Sequence, residues 1–137
     1  MYLLDTNVVS ELRRPRPHGA VVTWVESIPD EHLHVCAVTL GELQAGVENT
    51  RERDPDKAAE IEAWIGQITG LYNVLSLDGA CFRAWARLMH RKPDELVMDA
   101  LIAATAFVHN LTVATRNVRD FRRLGSPTLD PWRHSSG

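Results

Sequence analysis

Four acidic residues stand where a short apolar run ends or an apolar helix begins. Asp5 follows Tyr2-Leu3-Leu4 and opens Asp5-Thr6-Asn7. Glu42 lies just beyond the apolar run around Cys36, in Val38-Thr39-Leu40-Gly41-Glu42-Leu43. Asp99 interrupts Leu96-Val97-Met98-Asp99-Ala100-Leu101-Ile102, and Asp120 follows Thr112-Val113-Ala114 in Thr115-Arg116-Asn117-Val118-Arg119-Asp120. An acid at the carboxyl edge of a strand sits where open α/β folds bind ligands. Partly shielded from water there, it needs a cation. Several carboxylates converging on one point repel one another unless a divalent ion neutralises them. An all-oxygen set without a His or Cys cluster favours Mg²⁺ or Mn²⁺ over Zn²⁺. Such ions suit in-line attack on a phosphate.

Each acid also has a local explanation. Asp5 is a good helix N-cap. Thr39-x-x-Glu42 reads as a capping box, with Thr39 at the N-cap. Asn117-x-x-Asp120 is cap-like in the same way. Asp99 could pair with an arginine or face the positive end of its helix. It is the hardest to explain locally, because a helix that is apolar all round is buried and an unpaired acid there is costly. Taken together, the four follow strands or begin helices that end at one edge of one sheet.

The elements that must position them alternate. Strands are expected at residues 2–5, 32–38, 72–77, 112–114 and 128–129. Helices are expected at 8–13, 20–28, from Thr39 onward, 55–71, 80–90, 93–110 and 118–124. Pro15 and Pro17 end the first helix. Val21, Trp24, Val25 and Ile28 share a face of the second, and Ala58, Ile61, Trp64, Ile65 and Ile68 recur at helical spacing in the fourth. This alternation predicts an α/β fold of three layers, α/β/α, with a small and mainly parallel central sheet. One domain over residues 1–137 is expected, with the charged stretch 48–57 as an exposed loop and 131–137 as a frayed tail.

Nearly half of the 137 residues are apolar, a globular composition. The net charge of −3 is not that of a general nucleic-acid binder, so any such contact needs a local basic patch. Cys36 and Cys81 form neither a disulfide framework nor paired metal-ligand spacing. The six His residues are dispersed and read as structural or surface groups. The N-terminus lacks the features of a signal peptide, and the apolar run 96–108 is too short to span a membrane. A cytoplasmic protein is the expectation.

Leu3-Leu4-Asp5-Thr6-Asn7, Thr39-Leu40-Gly41-Glu42-Leu43, Asp99-Ala100-Leu101-Ile102-Ala103-Ala104 and Thr115-Arg116-Asn117-Val118-Arg119-Asp120-Phe121 together resemble the PIN-domain family. The likeness is nearest to the VapC-type toxins of bacterial toxin–antitoxin modules, including the FitB-like branch, and spans essentially the whole chain. The resemblance implies a Mg²⁺- or Mn²⁺-dependent endoribonuclease, a homodimer inhibited by a cognate VapB-like antitoxin. It maps the acids onto Asp5, Glu42 and Asp99, with Asp5, Asp99 and Asp120 as metal ligands. Its fourth acidic position falls at Asn117, at Asp120 or at both, and here Asn117 is an amide. Thr6, Asn7, Thr115 and Asn117 would supply supporting hydrogen bonds.

RNA contact would fall to local arginines. Arg13, Arg14 and Arg16 follow the first motif, while Arg116, Arg119, Arg122 and Arg123 surround the fourth. Trp24, Trp64 and Trp85 read as core or interface residues. Two rival functions stay open. One is a metal-dependent phosphatase using Asp5 as nucleophile, although that chemistry expects a second acid where Asn7 stands. The other is a catalytically inert PIN-like module that binds RNA or protein.

Overall fold

The computed structural model describes residues 1–135. Five parallel strands, β1 (Tyr2–Leu4), β2 (Leu33–Cys36), β3 (Asn73–Leu75), β4 (Thr112–Ala114) and β5 (Thr128–Leu129), form one sheet in the order β3-β2-β1-β4-β5. Among the described residues seven α-helices accompany it: α1 (Thr6–Arg13), α2 (Gly19–Ser27), α3 (Ala37–Arg51), α4 (Pro55–Leu71), α5 (Gly79–Met89), α6 (Val97–His109) and α7 (Val118–Arg123). The expected three-layer α/β fold is therefore found.

Alternation along the strands builds the two faces. Leu3, Cys36 and Val113 pack with Leu96, Ala100, Ala103 and Phe121, under α5, α6 and α7. Leu4, Leu33, Val35 and Ala114 pack on the other face with Val8, Val21, Trp24 and Ile68, under α1, α2 and α4. The parallel register sets Leu4 beside both Val35 and Ala114. From β1 the chain winds outward to β2 and β3, then crosses to β4 on the far side. The sheet thus has its topological switch at β1 and β4, where such folds leave a crevice at the strands' carboxyl ends. The Asp5 amide donates to the Ala114 carbonyl at 2.9 Å, fixing the two strand ends there.

Several expectations are corrected. The third helix starts at Ala37, with Cys36 at its N-cap, so Thr39 lies inside the helix and caps nothing. The charged stretch 48–57 is mostly helical: α3 runs to Arg51 and α4 begins at Pro55, where Asp54 caps by accepting from the Lys57 amide at 3.1 Å. Arg51 ties the pair together, reaching Glu48 at 3.0 Å and Glu62 at 2.9 Å. The apolar helix begins at Val97, after a 3₁₀ turn at Asp94–Leu96, and is not buried all round, since Met98 and Phe107 are exposed. Asp99 accordingly occupies its first turn, half-buried.

The expected frayed tail is structured at its start. Pro131–Arg133 forms a 3₁₀ turn, Pro131 is buried and Trp132 packs against the α1–α2 side of the core. The rest of the expected frayed tail, 136–137, lies outside the described residues. Both cysteines are free and buried. No helix among the described residues is long and apolar enough to cross a membrane.

Candidate active site

Asp5 is the innermost acid, 5% exposed at the end of β1. It caps α1, one Oδ accepting from the Thr6 amide at 2.8 Å. Its other oxygen accepts from Asn7 Nδ2 at 3.0 Å and from the Thr115 hydroxyl at 2.7 Å. Thr115 directly follows β4, so that last bond spans the switch point. The Thr115 hydroxyl accepts in turn from the Asn117 amide at 2.9 Å. The Asn117 side chain then donates from Nδ2 to both Asp99 and Asp120, at 2.9 and 3.0 Å. Asn117 is at the N-cap position of α7, yet its side chain makes no capping bond. Its amide spans two carboxylates on different helices instead.

Glu42 belongs to the first turns of α3, which follows β2 directly. The Thr6 hydroxyl donates to Glu42 Oε1 at 2.8 Å. Thr6 and Thr39 share a 2.9 Å bond; with the Thr6 proton on Glu42, Thr39 is the donor. The capping box expected at Thr39 is thus replaced by a buried threonine that orients Thr6, a role local spacing does not reveal.

The four acids are close enough to repel one another. Burial pushes the Asp99 carboxyl up from its ordinary 3.8 to about 6, and the negative charges of Asp5, Asp120 and Glu42 add to it, against the pull of the Asn117 bond. Burial also raises Asp5, with Glu42 adding; the bonds from Thr115, Thr6 and Asn7 oppose the rise. Arg123 stands 3.5 Å from Asp120 Oδ1. Among the described residues, no three His, Cys, Asp or Glu side chains form a preformed metal-binding set. As oriented, the carboxylates direct oxygens toward Thr6, Asn7, Thr115 and Asn117.

The expected supporting residues Thr6, Asn7, Thr115 and Asn117 all bond to the acids. Arg116 and Arg119 line a groove that includes Asn117, whereas Arg13 and Arg14 line a separate groove with Lys57, Ile61 and Trp64. Arg14 also meets Arg116 in a third groove, beside Arg16 and His18. Glu11, 7% exposed, was not foreseen: it accepts from the His18 amide at 3.0 Å and holds the turn between α1 and α2. Trp132 and Arg133 were missed because the tail carries no periodic signal.

The PIN domain family model matches residues 2–127. The chain belongs to the PIN-domain family. Among the relatives of this PIN domain, toxin FitB of Neisseria gonorrhoeae is 34% identical over 96% of the chain and 99% of FitB. VapC ribonuclease Y4jK of Sinorhizobium fredii is also 34% identical, over 96% and 98%. A crystal structure of FitAcB from Neisseria gonorrhoeae superimposes on this PIN domain with a TM-score of 0.86 at 33% identity, covering 97% of this chain and 99% of that one.

Proposed function

We propose that the chain is a metal-dependent endoribonuclease and the toxin of a toxin–antitoxin pair. The observation that carries this reading is Asp99, whose carboxyl is pushed up to about 6 in the company of three other acids at the switch point of a PIN-domain sheet. Relatives bearing the names toxin FitB and VapC ribonuclease support it over nearly the whole chain.

The donor chemistry fits a hard divalent cation, Mg²⁺ or Mn²⁺: all the candidate ligands are oxygens, and the acids carry an excess of negative charge. Asp5, Asp99 and Asp120 would hold the ion, taking up contacts that Asn117 Nδ2 now makes with the latter two. When bound, it supplies charge neutralisation at the phosphate and a more acidic attacking water. The chain's own residues do the rest. Thr115, Asn7 and the Thr6 amide fix both oxygens of Asp5. Thr6 holds Glu42 by one oxygen, leaving the second to orient a water in line with the scissile bond. Arg116 and Arg119, with Arg13 and Arg14 at the end of α1, would attract the RNA backbone.

The phosphatase alternative is disfavoured by Asn7: that chemistry expects a second acid there, and an amide stands in its place and donates to Asp5. A cytoplasmic, homodimeric toxin silenced by a VapB-like antitoxin completes the reading. The apolar side chains Phe82, Met98 and Phe107, exposed on α5 and α6, support a protein interface. Purified chain free of antitoxin should cut RNA with Mg²⁺ or Mn²⁺, and Asp99→Asn should abolish cutting. Undiminished cleavage by that variant, or in excess chelator, would refute the mechanism. Cleavage absent together with no Mn²⁺ binding by calorimetry would favour the inert module.

A further inference from the structure

Next to the acid cluster lies a groove of about 560 Å³, lined by Arg116, Arg119, Arg122 and Arg133, with Asn117 and Asp130. Asn117 also spans Asp99 and Asp120, so groove and acids share a boundary. Four exposed arginines there face one carboxylate, and that carboxylate is already engaged. Asp130 accepts from the Trp132 amide at 2.9 Å and lies 3.7 Å from Arg133. Among the described residues, no carboxylate comes within 4.0 Å of the guanidinium of Arg116, Arg119 or Arg122. Within the described residues Arg14, Arg51 and Arg123 have carboxylate partners; Arg13, Arg16 and Arg53 among others have none, so what sets Arg116, Arg119 and Arg122 apart is that one groove gathers them. On a chain of net charge −3, this concentration of unmatched cations is local.

The groove is also held in shape. The Arg116 guanidinium lies 5.2 Å over the Trp132 ring, a cation–π contact that fixes its direction. Arg116 is shared with the neighbouring groove of about 290 Å³, which adds Arg14 and Arg16. The two grooves therefore join at Arg116, the second carrying Glu11 as well. Guanidiniums spaced along an open channel suit successive phosphates of a strand, read through the backbone and not the bases.

We infer that this channel between α7, β5 and the C-terminal turn is the track for single-stranded RNA beyond the scissile phosphate, with Arg122 and Arg133 as its distal phosphate contacts. The identity of the strand rests on the ribonuclease reading, whereas the phosphate track does not.

The test is binding of a labelled single strand of roughly 12 nucleotides, within the span such grooves cover. It is run on the full chain in chelator, across a series of salt concentrations. Each phosphate contact on a single strand contributes about 0.7 to the slope of log affinity against log salt. The double variant Arg122→Ala, Arg133→Ala should therefore lower that slope by about 1.4. The charge-matched pair Arg51→Ala, Arg53→Ala, at the α3–α4 turn, should keep the parent slope. In cleavage with Mn²⁺, the groove variant should lose through KM and not through kcat. A groove variant with the parent slope, or one indistinguishable from the charge-matched pair, would overturn the track. If the slopes separate as expected but the parent protein cuts no RNA, the track stands and the ribonuclease reading falls.

Discussion

Replacing Asp99 by asparagine should stabilise the ion-free protein while abolishing its activity. The folded carboxyl titrates near 6 against an ordinary 3.8, because burial and three neighbouring acids oppose its charge. At 1.36 kcal/mol per pH unit, full retention of that difference would be about 3 kcal/mol. Asp99 is only half-buried, and solvent screening reduces the figure to ~1–2 kcal/mol. The sign follows from proton uptake. Between pH 3.8 and about 6 the folded state holds a proton that the unfolded state has released, so stability falls as pH rises through that window. Above it the cost is fully present.

The amide that replaces the carboxylate carries no charge, and its oxygen can still accept from the Asn117 side chain. In chelator at pH 8, Asp99→Asn should melt roughly 3–8 °C above the parent, taking the temperature shift per kcal/mol for a chain of this size. At pH 5 the gain should shrink to about half, since much of the titration then still lies ahead. Mn²⁺ should raise the parent's melting temperature and close the gap, because the ion binds only the folded acids. A variant less stable than the parent at pH 8, or a gain independent of pH, would refute the claim that Asp99 is held against repulsion.

Asp5→Asn should do the opposite. It places an amide where three donors converge on a buried carboxylate, and urea melts should show a loss of ~1–3 kcal/mol. Thr6→Val removes the bond that holds Glu42 and the partner of Thr39, so kcat should fall about tenfold, as for a mispositioned catalytic group. Unchanged turnover would make Glu42 independent of Thr6. Asn117→Asp loses two donors and adds a charge between Asp99 and Asp120, so its melting temperature in chelator should drop by several degrees, and Mn²⁺ should restore more than it adds to the parent.

Asp5 was legible because both its neighbours and its position are local: Leu3 and Leu4 divide between the two faces of the sheet, and the acid ends the strand. Glu42 was legible as an acid but not in its surroundings. The helix has already begun at Ala37, so Thr39 is not needed as a cap, and only the approach of α1 gives Thr39 its partner. The structure puts Asp99 beside the other acids, but not for the reason the sequence suggested. The apolar run around it suggested full burial, yet Met98 is exposed and Asp99 lies in the open first turn, where repulsion adds to burial. On the Arg133 side the strand expected at 128–129 is found, but the turn after it was not legible. That turn is held by the packing of Trp132 against the α2 side of the core, not by any period in the chain.

The fourth acidic position is shared between two residues. Asp120 brings the charge, but Arg123 already offsets one of its oxygens, and its other oxygen accepts from Asn117. Asn117 brings no charge, yet it is the only side chain among the described residues that bonds both Asp99 and Asp120. A fifth carboxylate at that place would join a cluster in which Asp99 already resists ionisation. An amide there gives the ion-free chain a neutral donor across its most repulsive pair, and every buried polar side-chain atom among the described residues finds a partner. The same amide is the contact a divalent ion would have to displace. Asn117 would therefore trade ion affinity for the ability to fold without the ion, and Asp120 would have to give up its bond from Asn117 to reach that ion.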